Sequence, residues 1–139
     1  LYTTLIAAFI PIIWLRVSPR FPYHYLLIAD AFGLALFNVV GIEKALANDT
    51  GIAVAIAMGT ITGVFGGLLR DVICREVPLV LGGELYATTC IVGGMAYGLA
   101  MYLGFEAQWC GAVALATTVL MRLGAMRWHW EMPVFYNEN

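Results

Sequence analysis

Charged residues are scarce in this sequence. Aspartate, glutamate, lysine and arginine make up 12% of its 139 residues, against about 25% in a typical soluble domain. Hydrophobic residues make up 62%, and the mean hydropathy is +0.86. So few charges leave too little polar surface to face water on all sides. The composition therefore excludes an ordinary soluble domain and predicts an integral membrane protein.

The sequence also lacks the residue groups that bind nucleic acid or metals or that carry out catalysis. Its 7 basic and 9 acidic residues leave a net charge of −2, so no basic surface indicates a nucleic-acid partner. Cys74, Cys90 and Cys110 form no C-x-x-C pair, and His24 and His129 have no metal-ligand spacing. No phosphate-binding loop, nucleophile–base pair or catalytic carboxylate pair is present. We therefore expect no metal, no cofactor and no enzymatic activity.

Long apolar runs are the main feature that is present. A membrane-spanning helix takes roughly 20 mainly apolar residues, and short polar or Pro/Gly-rich separators divide the chain into five windows near that length. The windows are Leu1–Leu15, Tyr25–Leu46, Ile52–Leu69, Leu85–Leu103 and Ala107–Met121. They do not alternate in polarity as barrel strands do. The predicted fold class is an all-α membrane protein, a polytopic helical bundle with antiparallel neighbours. Because the chain opens inside an apolar run at Leu1, we expect the first window to be the remnant of a longer segment.

The arginines predict the orientation of these helices. Threading the windows back and forth places all of them on one side of the membrane. They are Arg16, Arg20, Arg70, Arg75, Arg122 and Arg127. Loops rich in arginine and lysine stay in the cytoplasm, so the carboxyl terminus is predicted to be cytoplasmic. The tail from Trp128 to Asn139 carries aromatic residues that favour the headgroup region, and it is predicted to be an interfacial anchor.

Small residues recur at every fourth position of the third window. This small-residue stripe runs through Gly51, Ala55, Gly59, Gly63 and Gly67 and continues into Asp71 and Arg75. Such stripes let membrane helices approach closely. With Gly66 added, three glycines fall within five positions, each costing about 1 kcal/mol of helix propensity relative to alanine, which predicts a kink. Two interpretations stay open: plain packing, or a kink beside a polar pathway, because broken helices at membrane depth face protein or water.

The second window carries more polar residues than a lipid-facing helix tolerates. Asp30, Asn38, Glu43 and Lys44 are therefore predicted to face the interior of the bundle. Asp30 and Lys44 lie about 21 Å apart along the helix axis, so each needs its own partner. Asn38 either hydrogen-bonds a neighbouring helix or lines a pore. Helical spacing predicts one small polar face, which consists of Asp30, Gly33, Phe37, Gly41 and Lys44.

Two ionic dipeptides follow the glycines, Arg70-Asp71 and Arg75-Glu76, and Pro78 closes this segment. Charges at a membrane boundary pair with each other or face water. The dipeptides either fix the end of a helix by pairing or form a charged vestibule at the cytoplasmic mouth of a pathway. The sequence alone does not separate these interpretations.

Several motifs together resemble a known family. They are the run Asp30 to Phe37, the run Gly41 to Ala45, the pattern Gly59-x-x-x-Gly63-x-x-Gly66-Gly67-x-x-Arg70-Asp71, Pro78, and Glu84-Leu85-Tyr86-Ala87. In order and spacing they resemble the second repeat of the bacterial trimeric intracellular cation (TRIC) channel family, a group also labelled glycine transporter. The resemblance is strongest from about Ala29 to Tyr97 and extends more weakly through the last window.

The resemblance implies a seven-helix fold of two inverted three-helix repeats and a final helix, assembled as a homotrimer in the inner membrane. On that template, residues 1–16 are a remnant of the third helix, 25–104 the second repeat, 105–123 the final helix and 124–139 a cytoplasmic tail. It implies a channel for monovalent cations, above all potassium, with membrane lipid as the other partner. The alternative is a secondary transporter of glycine or a similar zwitterion. The pore or substrate-pathway residues it implies are Asp30, Asn38, Lys44, Gly63, Gly66, Gly67, Arg70 and Asp71.

Overall fold

The computed structural model describes residue 2 and residues 23–74 and 86–128. These residues form four α-helices: α1 (Tyr23–Leu46), α2 (Ile52–Cys74), α3 (Tyr86–Tyr102) and α4 (Ala107–Arg127). Almost all of the first predicted window, the segment around Pro78 and the tail beyond residue 128 lie outside the described residues. The all-α prediction is confirmed for the part of the chain that is described.

The last four predicted windows each coincide with one helix. Their starts agree within two residues, but α2 and α4 continue past the predicted ends at Leu69 and Met121 to Cys74 and Arg127. The windows stop there because Arg70 and Arg122 interrupt the apolar run. Charge ends a run of hydrophobicity without ending a helix, since arginine is a good helix former.

The turn between α1 and α2 is closed by polar side chains. Thr50 Oγ1 donates a hydrogen bond to the Ala45 carbonyl at 2.7 Å, and Asn48 Nδ2 donates to the Lys44 carbonyl at 2.7 Å. Asp49 adopts a φ of 56°, a left-handed conformation that aspartate tolerates better than most residues. These bonds satisfy carbonyls that the end of α1 leaves without helical partners and return the chain antiparallel to α1.

Helix α1 is the centre of the bundle. It packs along α2 and also contacts α3 and α4, whereas α2 and α4 make no mutual contact among the described residues. The main core lies toward the α1–α2 turn, and all four helices contribute to it. Its buried members are Val39, Ile42, Ala45, Ala55, Tyr97, Ala100, Cys110 and Ala114. A smaller cluster, formed by Leu34 and Cys90 with Val64 packed against them, lies toward the opposite end.

The two faces of α2 differ sharply. Its small-residue stripe is buried from Ala55 to Asp71, as predicted, while Gly51 at its start is exposed. The opposite face is exposed and apolar. It consists of Val54, Met58, Ile61, Phe65, Leu69 and Val72. A continuous apolar face of this kind needs an apolar surrounding, and α2 and α4 are each long and apolar enough to cross a membrane.

Helix α2 is continuous through Gly63, Gly66 and Gly67. The helix is therefore not interrupted at these glycines, and the predicted kink stays a prediction. The contacts of the stripe supply the physical reason. Backbone hydrogen bonds persist through the glycines, and the missing side chains serve the approach of α1 instead.

Candidate functional site

An open cavity of about 270 Å³ lies between α1 and α2. It is mainly apolar, with charged side chains at one end. We refer to it as the α1–α2 cavity. Helix α1 lines it with Ala29, Asp30, Gly33, Leu34 and Phe37, and α2 lines it with Gly63, Gly66, Gly67 and Arg70.

The cavity exists because the two helices are close at one end and separated at the other. A β-carbon added at Gly59 would lie 2.5 Å from Ile42 Cγ1, which shows that the backbones nearly touch there. At Gly63 the nearest atom would be the Leu34 carbonyl oxygen, at 3.0 Å. At Gly66 it would be a ring carbon of Phe37, at 3.5 Å. The glycines of α2 therefore allow contact toward the α1–α2 turn and leave space toward Arg70.

An ion triad stands at the charged end of the cavity. The Arg70 guanidinium donates through Nη1 to Asp30 Oδ1 at 2.6 Å, and through Nη2 and Nε to Asp71 Oδ1 at 2.6 and 2.9 Å. The side chains of Asp30 and Asp71 are 7% and 8% exposed, and that of Arg70 is 28% exposed. Asp30 lies on α1, so the triad ties the separated ends of the two helices together.

Acidic groups outnumber basic groups within the triad. Two carboxylates and one guanidinium leave one net negative charge among the three groups. At low dielectric a charge acts over a longer range than in water, and this one lies beside an apolar cavity at a helix end. Arg70 and Asp71 pair with each other, as one interpretation predicts, and a charged vestibule at the mouth of a pathway stays a prediction.

The structure brings together five of the eight predicted pathway residues. Asp30, Gly63, Gly66, Gly67 and Arg70 line the cavity. The other three lie outside it. Asp71 is next to the cavity and bonds Arg70, as part of the ion triad. The roles of these residues in transport stay predictions.

Asn38 and Lys44 do not line the cavity. Asn38 is fully buried and donates from Nδ2 to the Cys90 carbonyl of α3 at 3.0 Å, as its packing interpretation predicts. Lys44 is exposed near the α1–α2 turn, so the prediction that it faces the interior is wrong for the described part of the chain. Glu43 is exposed as a residue, but its Oε1 would lie 3.1 Å from a β-carbon built at Gly111 of α4. Lys44 is in the last turn of α1, where a long side chain reaches polar surroundings without entering the bundle.

The placement of three residues was not predicted, and two of these residues line the cavity. Ala29 and Leu34 line the cavity although neither is polar or glycine, and the helical positions flanking Asp30 are the only sequence signal for them. Arg122 has no exposed surface and is the largest fully buried side chain of the described residues. Its position beyond the fifth window suggested a boundary charge like the other arginines.

An all-helical bundle with exposed apolar faces and a charged cavity at one end defines a polytopic helical membrane protein. A family model described as "Glycine transporter" matches residues 27–102. The chain belongs to this family, the TRIC family, as the motifs of its second and third windows predicted.

Curated relatives agree with this membership. The chain is 40% identical over 135 residues to a UPF0126 membrane protein of Vibrio cholerae. It is 38% identical over 136 residues to the UPF0126 inner membrane protein YadS of Escherichia coli. Each alignment includes 97% of this chain, but the chain spans only 56% and 66% of the length of these two relatives.

Solved structures show the same fold. A crystal structure of the TRIC trimeric intracellular cation channel orthologue from Rhodobacter sphaeroides matches with a TM-score of 0.72 and 37% identity, over 77% of this chain and 55% of that one. A structure from work on conductance through TRIC cation channels matches with a TM-score of 0.71 and 36% identity, over 82% and 56%. At these identities the likeness concerns sequence as well as fold.

Proposed function

We propose that this chain forms part of a channel for monovalent cations, with potassium as the main permeant ion, and that the α1–α2 cavity is one section of the ion path. One observation carries the proposal: the cavity is bounded by glycine faces and ends at a buried ion triad with a net negative charge. The matched solved structures are described as cation channels, which supports the same function.

Each part of the cavity has a role in this proposal. Asp30 and Asp71 attract a cation to the charged end, while Arg70 prevents two buried carboxylates from repelling each other. Gly63, Gly66 and Gly67 keep side chains out of the path. Because Arg70 bonds Asp30 across the gap between α1 and α2, movement of this guanidinium would widen the charged end. No step requires a cofactor or enzymatic chemistry.

The proposed setting is a homotrimer in the inner membrane with the arginine-rich ends of the helices in the cytoplasm. Three observations support it: the name of the Escherichia coli relative, the trimeric description of the Rhodobacter sphaeroides channel, and the position of the arginines. The ion triad then lies at the cytoplasmic mouth of the path, near Arg70. Lys44 lies toward the opposite side.

A carrier of glycine or a similar small zwitterion is the second candidate. The description of the family model favours it, and so does the pairing of opposite charges in the cavity. Asp30 and Arg70, whose charged atoms are 2.6 Å apart, complement an ammonium and a carboxylate. A zwitterion would have to separate this pair in order to bind both of its members.

Reconstitution of the full-length protein in lipid bilayers and in vesicles tests the two candidates. The channel predicts unitary currents carried by potassium that persist without glycine. The carrier predicts saturable uptake of labelled glycine without unitary currents. Potassium currents reduced by Gly66→Leu and unchanged by Phe65→Leu would support the path, because only Gly66 lines the cavity while Phe65 is on the outer face of α2.

A further inference from the structure

Asn38 has a buried polar side chain and does not line the α1–α2 cavity. It lies on α1 one helical turn beyond Leu34, the cavity residue nearest to it on the same face. None of its surface is exposed. Its amide nitrogen Nδ2 donates to the Cys90 carbonyl of α3. Since only the nitrogen can donate to a carbonyl, this bond fixes the amide orientation and turns the oxygen Oδ1 away from Cys90.

The oxygen Oδ1 is aimed into the small-residue stripe of α2. A β-carbon built at Gly59 would lie 2.8 Å from Oδ1. A β-carbon built at Gly63 would lie 3.5 Å from the backbone nitrogen of Asn38. Among the described residues, Oδ1 has no hydrogen-bond donor. Buried acceptors are almost always paired, and in a membrane interior an unpaired one is costly. Packing of α1 against α2 alone would be served equally well by an apolar side chain.

The position of Oδ1 continues the line of the cavity. Gly63 lines the cavity, and Gly59 is one turn further along the same stripe. Gly59 and Gly63 carry no side chains, so these two positions of the stripe place none between the cavity and the Asn38 amide. We call the line of contact between α1 and the Gly59–Gly63 part of α2 the Gly59–Gly63 seam. In the described arrangement this seam is closed at Gly59, because a β-carbon built there would lie 2.6 Å from the Asn38 backbone carbonyl oxygen.

We propose that Asn38 Oδ1 is a direct ligand of the permeating cation near mid-membrane, reached when α1 and α2 separate along the Gly59–Gly63 seam. This rests on the proposed channel function. A neutral amide oxygen replaces one hydration oxygen of a monovalent cation without the strong attraction of a carboxylate, so the ion leaves as readily as it enters. Asn38 then determines selectivity, and the ion triad only attracts cations to the mouth.

Three substitutions at Asn38 test this. Asn38→Leu removes the oxygen while keeping the number of side-chain heavy atoms, and we expect the potassium conductance of the full-length protein to fall at least tenfold. Asn38→Asp keeps the oxygen and adds charge, and we expect block by millimolar calcium that the unsubstituted protein does not show. Asn38→Gln keeps the amide, and we expect partial conductance with altered potassium-to-sodium preference. The matched control is Thr117→Val, which removes a hydroxyl on α4 that bonds the Val113 carbonyl of its own helix, away from the contact between α1 and α2.

The outcomes separate this inference from the proposed function. If the unsubstituted protein carries no potassium current, the proposed function itself fails. If it conducts, and Asn38→Leu assembles normally with unchanged conductance and ion preference, the role of Asn38 is overturned while the channel stands. Where Asn38→Leu fails to assemble, Asn38→Asp decides. Calcium block supports direct contact with the ion, and its absence in a conducting Asn38→Asp channel contradicts it.

Discussion

The two halves of the α1–α2 pair use the same residue type for opposite purposes. Toward the turn, Gly41 and Gly59 bring the helices together: a β-carbon at Gly41 would lie 2.7 Å from Gly59 Cα. Toward the charged end, Gly33 has no atom within 4 Å of its β-carbon position, and at Gly66 the nearest is 3.5 Å away. The first half is closed by its glycines, and the second is kept open by them.

This difference shows why the charges lie where they do. In the described arrangement the closed half leaves no open space between α1 and α2, and the ionisable side chains of α1 in this half, Glu43 and Lys44, are exposed. In the open half the Arg70–Asp30 bond crosses the gap between the two helices. The glycines of one stripe therefore have different structural roles, and the role of each glycine depends on the residues of the neighbouring helix that face it.

The largest expected effect comes from breaking the ion triad. Arg70→Ala leaves Asp30 and Asp71 without their shared guanidinium, and loss of one partner from a buried pair costs about 3–5 kcal/mol. Because the Arg70 side chain is 28% exposed, we expect the lower part of that range. Thermal unfolding in detergent measures the loss. The control Lys44→Ala, at the exposed end of α1, should change stability by less than about 0.5 kcal/mol.

Filling the closed half should destabilise the bundle next most strongly. Gly59→Ala places a methyl group 2.5 Å from Ile42 and 2.6 Å from the Asn38 carbonyl, and such overpacking costs about 1–3 kcal/mol. The same unfolding measurement applies. Gly51→Ala is the matched control, since nothing lies within 4 Å of its β-carbon position. Equal melting temperatures for the two variants would contradict the close approach of α1.

Filling the open half should leave stability nearly unchanged and reduce transport. Gly66→Ala meets only Phe37, at ordinary contact distance, and alanine gains about 1 kcal/mol of helix propensity. We expect a melting temperature equal to or above that of the unsubstituted protein, with a smaller potassium conductance. Gly66→Leu should abolish conductance with the protein still assembled. Normal conductance in assembled Gly66→Leu would exclude Gly66 from the path.

The smallest effect is expected at the wide part of the cavity. Gly33→Ala adds one methyl group where no atom lies within 4 Å, so neither stability nor assembly should change. The conductance of Gly33→Ala should fall less than that of Gly66→Ala. The methyl group at position 66 would contact Phe37, whereas the one at position 33 would contact no atom. Single-channel recording of both variants at one voltage gives the order. A lower conductance in Gly33→Ala than in Gly66→Ala would contradict this order and would indicate that the path is narrowest at Gly33.

The sequence predicts the helices and much of the cavity, because both follow from local patterns. Apolar windows give four helices, and the four-residue spacing of small residues gives the buried face of α2. What the sequence does not supply is the direction of single side chains near helix ends. Lys44 belongs to the predicted polar face, yet the last turn of α1 lets it reach outward. Arg122 was grouped with boundary charges, and only the packing of α4 shows that it is buried.

The separation of the two halves also lies beyond the pattern. Gly59, Gly63 and Gly66 look equivalent in the sequence, and the close contact at Gly59 and the space at Gly66 depend on Ile42 and Phe37 of the neighbouring helix. Glycine density predicted a kink, and α2 passes through these glycines as one continuous helix. Intrinsic propensity is a weak determinant when a packed neighbour covers the same face.

The most direct test of the α1–α2 cavity as an ion path is block of potassium current at a single introduced thiol. In Gly66→Cys, a positively charged thiol-specific methanethiosulfonate reagent should react within the cavity and suppress the unitary current of the full-length channel. The reagent should leave the unsubstituted protein and Phe65→Cys, on the outer face of α2, conducting. Unchanged current through Gly66→Cys channels whose thiol is shown by mass spectrometry to be modified would contradict the account.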